Sequence, residues 1–174
     1  LLVALEHWDA YGLDISNAVA EYVKAHHDLR ITVGTVHGTY HEAEFDCIHA
    51  KDVIEHLPDP LGDLREYARI IRPGGILVVE TLNIDSMIAR VMGTHYRGFI
   101  PGHVAFFNPS TLKIALRMAG FEILHSWAGD ELPMASYFLL RPRRTLVTRL
   151  LKRLSIGNVY VGSLTIYAQR KLSI

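Results

Sequence analysis

Short apolar runs along the chain alternate with stretches whose apolar residues recur every three or four positions, a pattern that predicts strands separated by helices. Residues 9–15 (DAYGLDI) read as a short buried strand, and Ser16 is placed to cap a helix whose Val19, Tyr22, Val23 and His26 share one face. Residues 30–33 form a second apolar run, the polar stretch 34–44 predicts a loop, and 45–49 a third strand. Leu61, Leu64, Ala68 and Ile71 recur at helical spacing until Arg72-Pro73-Gly74-Gly75, which predicts the helix stop, and residues 76–81 form a strand again. Asn108 followed by Pro109 predicts a helix start, Leu112, Ala115, Leu116 and Ala119 its buried stripe, and Gly120 its end. Two further strands are predicted at 121–128 and 159–169. Brief, mostly apolar strands in alternation with helices predict a doubly wound α/β sheet covered on both faces.

Two segments lack this regularity. Residues 84–102 combine a short helix with His95-Tyr96-Arg97-Gly98-Phe99, and the span 84–107 is predicted to be a lid or substrate segment. Residues 141–153 carry six basic residues and no acid, with Leu146, Val147, Leu150, Leu151 and Leu154 at helical spacing. They predict a basic insertion, 130–158, read as an exposed helix over a substrate cleft rather than as a membrane-surface or acidic-partner contact. A length of 174 residues, 49% of them hydrophobic, predicts one domain, 1–174. Lys plus Arg equal Asp plus Glu at 18 each, so no overall field draws the chain to nucleic acid. A single cysteine, Cys47, cannot form an internal disulfide, and no apolar run is long enough for membrane insertion, so a cytoplasmic location is expected. Residues 1–5 read as the end of a helix, and truncation of a longer chain is expected.

In open parallel sheets ligands bind beyond the carboxyl ends of strands, which singles out Asp14 and residues 34–36, 50–52 and 81–83. Asp14 suits either the hydroxyls of a ribose or the turn into the next helix, and Ile15 beside it could pack on an adenine. The segment 45–60, FDCIHAKDVIEHLPDP, resembles the fourth-strand region of class I S-adenosylmethionine-dependent methyltransferases of the ubiquinone-biosynthesis O-methyltransferase type. The likeness continues through Arg72-Pro73-Gly74-Gly75, through His103-Val104-Ala105-Phe106-Phe107-Asn108-Pro109, through Ala119-Gly120-Phe121-Glu122, and into residues 162–168.

That resemblance implies a Rossmann-like sheet of seven strands with the last antiparallel, S-adenosylmethionine as cofactor, and methyl transfer to a small-molecule acceptor at oxygen. It implies that Asp14 holds the ribose, Ile15 flanks the adenine, Thr35 and Val36 lie near the adenine edge, and Ala50 and Lys51 face the methionine moiety. Thr35 departs from the acid common at its position. The ribose-binding acid lies about 20 residues beyond the glycine fingerprint in dinucleotide folds. Counting back from Asp14 passes Leu1, so a fold lacking the first strand and glycine loop is expected, with weak or no cofactor binding.

Methyl transfer needs alignment above all, and a base only if a hydroxyl must lose its proton. The candidates are His56, His103 and Tyr96, with a structural role as the alternative for His56 beside a helix start. Asp52, Glu55 and His56 stand at i, i+3 and i+4, and the resemblance suggests Mg²⁺ there. The expected reading is instead a capped turn with solvated charges and no metal, and His26, His27, His37 and His41 are read as surface residues. Two other functions fit the fold: a non-catalytic binding module, and a nucleotide-dependent oxidoreductase, which would not be expected to carry the Glu-His-Leu-Pro-Asp-Pro run.

Overall fold

The structure, a computed structural model, describes residues 9–27, 29–96, 98–129 and 162–172. Among these residues six strands form two hydrogen-bonded groups. β1 (Tyr11–Asp14) and β2 (Arg30–Val33) pair in parallel, connected by α1 (Asn17–His26). The second group is a four-stranded sheet in which β3 (Phe45–Lys51) pairs in parallel with β4 (Ile71–Leu82) through α2 (Pro60–Ile70). β6 (Ser163–Arg170) lies antiparallel between β4 and β5 (Phe121–Gly129), giving the order β3-β4-β6-β5. Between β4 and β5 come α3 (Met87–Met92) and α4 (Pro109–Met118). No ladder joins β1 to β3 among the described residues, although Tyr11 and Phe45 meet edge-on with ring centroids 6.0 Å apart.

The predicted alternation is present, and β6 holds the antiparallel place implied for a last strand. Local chemistry explains several boundaries. Ser16 Oγ accepts the Val19 N–H at the start of α1, Asp59 caps α2 ahead of Pro60, and Asn108 and Thr111 close a reciprocal capping box on α4. One face of the four-stranded sheet packs against α2 and α4. Leu64, Tyr67, Ile70, Leu112 and Leu116 meet Leu77, Val79, Leu164 and Ile166 in a single cluster. Each such fully buried aliphatic side chain contributes roughly 1.5–3 kcal/mol of hydrophobic stabilisation, which makes this seam the main anchor of the fold.

Among the described residues Leu124, Trp127 and Tyr167 are exposed on β5 and β6, and β4 and β6 alternate buried with partly buried positions. Two expectations change. The predicted face of α1 is not buried: Val19 and Tyr22 are exposed, and Ala20 is its one buried residue, because a two-stranded sheet offers too little surface to cover a helix.

Arg72-Pro73-Gly74-Gly75 does not lie between helix and strand but within β4. Register slips there: Phe45 pairs with Ile71, whereas Cys47 pairs with Ile76. A proline with no N–H and two glycines supply the bulge that absorbs the extra residues. The N-terminal residues 1–5 and the whole basic insertion 130–158 lie outside the described residues.

Candidate active site

β3 ends at Lys51, and the chain turns through Asp52, whose φ of 51° is left-handed, into a single 3-10 turn, Ile54–His56. Ile54 anchors this turn in the core while Glu55 is 3% exposed and His56 is exposed. Glu55 is held from two directions. Its Oε2 accepts the Thr81 hydroxyl at 2.9 Å from the end of β4, and its carbonyl accepts the N–H groups of Val104 and Ala105 at 2.8 and 3.0 Å. The backbone of one residue therefore fixes the 103–105 segment against the turn after β3.

The loop that delivers His103 is closed at its base. Asn83 and Phe107 form a parallel bridge, and Ile84 N–H donates to the Phe107 carbonyl at 3.0 Å. Within the loop, Gly102 takes φ +100°, which favours glycine, and its carbonyl lies 2.9 Å from His56 Nδ1. His103 Nδ1 lies 2.8 Å from the Gly98 carbonyl. A carbonyl only accepts, so each imidazole donates from Nδ1, which in the neutral ring places the lone pair on Nε2. The two rings sit edge to face with centroids 4.6 Å apart.

An apolar ledge adjoins the pair. Phe99, Ile100, Val104 and Phe106 are exposed, and Phe99 stacks edge-on with both Tyr96 and Phe106, at 5.4 and 5.2 Å between centroids. Tyr96, the third predicted base, is 4% exposed, and its hydroxyl has no hydrogen-bond partner among the described residues. Burial raises its pKa above the usual phenol range, a shift the nearby Ser86 hydroxyl partly opposes. It is placed as a packing residue under the ledge.

The predicted cofactor residues divide in the same way. Asp14 sits at the end of β1, half-buried; its Oδ1 accepts the Ser16 N–H at 2.8 Å and its carbonyl accepts the Gly34 N–H at 2.9 Å. Its Oδ2 has no hydrogen bond among the described residues, so the turn and a ligand need not compete for it. Ile15 beside it is 78% exposed. Thr35 is exposed, and its carbonyl accepts the Thr39 hydroxyl at 2.6 Å. Val36 and Ala50 are core residues, and Lys51 forms an ion pair with Glu80 at 3.3 Å. At 36 and 50 only the backbone is left to meet a ligand.

A family profile described as a methyltransferase domain matches residues 1–126. The chain belongs to that methyltransferase-domain family. It is similar to a ubiquinone biosynthesis O-methyltransferase of Azoarcus sp. (strain BH72), with 27% identity over 127 residues that make up 65% of this chain and 54% of that protein. The chain thus spans about half the length of that curated relative. Among solved structures, a SAM-dependent methyltransferase from Thermotoga maritima aligns with a TM-score of 0.66 at 20% identity, covering 92% of this chain and 72% of that one. The [4+2]-cyclase SpnF aligns with a TM-score of 0.61 at 18% identity, covering 94% and 66%. These likenesses establish the methyltransferase-type fold and leave the chemistry to the site.

Sequence reasoning reached His56 and His103 as separate candidates, and the fold brings them together. It singled out residues 81–83 as a strand end but did not pair Thr81 with Glu55, and it gave no role to the Gly98 and Gly102 carbonyls. The available signal was a threonine at the end of an otherwise apolar strand and two glycines flanking the His103 segment.

Proposed function

We propose that this methyltransferase-domain chain serves S-adenosylmethionine-dependent methyl transfer to the hydroxyl oxygen of a small apolar or aromatic acceptor. The observation that carries this reading is the His56 and His103 pair, each imidazole oriented by a carbonyl so that Nε2 retains its lone pair, beside the exposed ledge of Phe99, Val104 and Phe106. The apolar ledge supports an acceptor with an apolar body, and the paired imidazoles support a group that must lose a proton.

Asp14 and Ile15 fit the nucleoside end of the cofactor: a carboxylate oxygen without a hydrogen-bond partner among the described residues lies next to an exposed aliphatic side chain. When bound, S-adenosylmethionine supplies an electrophilic methyl group whose transfer leaves a neutral thioether. The protein's part is to align the acceptor, to exclude water with the 84–107 loop, and to receive the hydroxyl proton on an imidazole Nε2.

The test is methyl transfer from labelled cofactor to a panel of phenols and apolar alcohols, using the full chain and a version extended upstream. Replacing His56 or His103 by Gln should lower kcat/KM about 10²–10⁴-fold for the residue that acts as base. Unchanged turnover in both variants would remove the imidazoles from the mechanism, and cofactor binding with no acceptor turned over would favour a non-catalytic module.

A further inference from the structure

We infer that His37 and Asp63 form a proton-sensitive fastening between the loop 34–44 and α2, and that this fastening positions the loop beside Asp14. The loop leaves β2 at Gly34, whose N–H donates to the Asp14 carbonyl at 2.9 Å, and turns at Gly38, where φ is +71°. Between them Val36 is buried in the core, and the Thr39 hydroxyl closes the turn on the Thr35 carbonyl at 2.6 Å.

Three positions of α2, spaced by three residues, receive the loop in one row. Asp63 Oδ1 lies 3.4 Å from His37 Nε2. Glu66 takes up the Gly38 N–H and lies in the field of His37. Arg69 donates from Nη2 to the Tyr40 carbonyl at 2.7 Å, and its own carbonyl accepts the Ala43 N–H at 3.0 Å. A guanidinium keeps its charge at every working pH. Glu66 is held below the usual carboxylate range, chiefly by Arg69. A histidine, by contrast, can gain or lose a charge between pH 5 and 8, so the contact made by the imidazole is the one that responds there.

The surroundings of Asp63 set the sign. Its side chain is 11% exposed, against 53% for His37. Burial raises its pKa, His37 opposes the rise, and the carboxylates of Asp59 and Glu66 add to it. The adjoining Tyr67 phenol is pushed up to about 12, by burial first and by Asp63 second, so it stays neutral and does not enter the balance. A proton on the pair therefore relieves the buried carboxylate and tightens the contact. The fastened loop binds that proton more firmly than the released loop, so the fastening is present at low pH and weakens as pH rises and the proton leaves. Because His37 is half exposed, the change in the ratio of fastened to released loop is about two- to fivefold.

The fastening depends on these groups alone. Its use rests on the proposed cofactor site, where a loop tied to Asp14 at one end and to α2 at the other holds the Thr35 and Val36 backbone beside the nucleoside. His37 and Asp63 act there as positioning residues, and cofactor affinity follows the same pH course.

Amide hydrogen exchange of residues 36–40 in the full chain, divided by the intrinsic rate at each pH, reads the fastening without a ligand. Protection should be about two- to fivefold higher at pH 6 than at pH 8. His37→Gln and Asp63→Asn should each remove that difference, the double variant should remove no more than either, and His41→Gln in the same loop should keep it. His37→Gln, at an exposed position, carries the test if Asp63→Asn is not folded. Equal protection at the two pH values in the parent, or a difference that persists in His37→Gln, would overturn the fastening. S-adenosylhomocysteine is then titrated at both pH values into the full chain and into the version extended upstream. Tighter binding at pH 6 in the parent and level binding in His37→Gln support the positioning role, whereas affinity that ignores a fastening seen by exchange overturns that role. The exchange measurement requires neither cofactor nor acceptor, so a failed fastening is distinguishable from a failed methyl-transfer reading.

Discussion

Removing the Thr81 hydroxyl while keeping its shape should destabilise the fold out of proportion to the two atoms involved. Thr81 is 2% exposed and donates at 2.9 Å to a Glu55 carboxylate that is itself buried. Thr81→Val deletes the donor and leaves the carboxylate oxygen without it, a loss of about 1–3 kcal/mol for a buried group stripped of its partner. The comparison that isolates this term is a double-mutant cycle with Glu55→Met, which removes the carboxylate at similar volume. Glu55→Met alone strands only a neutral hydroxyl, and the double variant strands neither group, so the two losses should not add. A coupling of about 1 kcal/mol or more is expected from urea unfolding of the four proteins, read by far-ultraviolet circular dichroism. Additive losses, or a Thr81→Val change below about 0.5 kcal/mol, would show that the hydroxyl does not hold Glu55 and would remove the support drawn here for the geometry of His56 and His103.

Two further outcomes follow from other parts of the fold. A Cβ on Gly75 would fall 2.7 Å from the Asp46 carbonyl oxygen and 2.9 Å from that of Arg72, as well as 2.6 Å from Ile71 Cγ2. Gly75→Ala should therefore cost about 1–3 kcal/mol by overpacking the β4 bulge, and a midpoint like that of the parent in urea unfolding would refute the bulge assignment. Glu66 lies below the usual carboxylate range because Arg69 donates to both of its oxygens, at 3.0 and 2.6 Å. A depressed folded-state pKa adds stability that is present above the unfolded value and lost as pH falls through the folded one. Glu66→Gln should accordingly lower the unfolding midpoint at pH 7, with the difference from the parent vanishing in acid below the ordinary glutamate range; a difference that persists there would mean the carboxylate charge is not its source.

What could be read from the sequence is what depends on neighbours along the chain. Asn108 and Pro109 start α4 as expected because a cap and a first-turn proline act within three residues, and Leu112 and Leu116 point inward because helical spacing decides it. Phe45-Asp46-Cys47-Ile48 forms a strand for the same local reason, and the family likeness carried by residues 45–60 agrees with the profile match. The Arg72-Pro73-Gly74-Gly75 run misleads because its residues are breakers by composition. In the fold they occupy a bulge whose geometry depends on Asp46 across the ladder. Burial of Glu55 was equally invisible: in Glu-His-Leu-Pro-Asp-Pro a glutamate reads as solvated, and only Thr81, contributed by another strand, turns it inward. Val36 and Ala50, picked out by resemblance for cofactor contact, carry side chains that the core has already taken.

The partition between sheet and loops explains how the same architecture can serve unlike reactions. A [4+2]-cyclase shares this fold at a TM-score of 0.61, so the fold by itself does not select the chemistry. Here the end of β4 fixes Glu55, through Thr81, and leads directly into the Asn83 bridge to Phe107 at the base of the loop. On the proposed reading, the loop groups among the described residues that would meet an acceptor are the Phe99 and Phe106 rings, held in place by the Val104 and Ala105 N–H groups on the Glu55 carbonyl. Substitutions on the ledge can therefore reshape the acceptor surface without touching the buried seam of α2, α4, β4 and β6 that carries most of the stability. The imidazoles are less free, since each tautomer depends on a backbone carbonyl whose position depends on the loop closing at Asn83 and Phe107. On the proposed reading, specificity would thus be adjustable at side chains, whereas proton transfer would be tied to the path of the backbone.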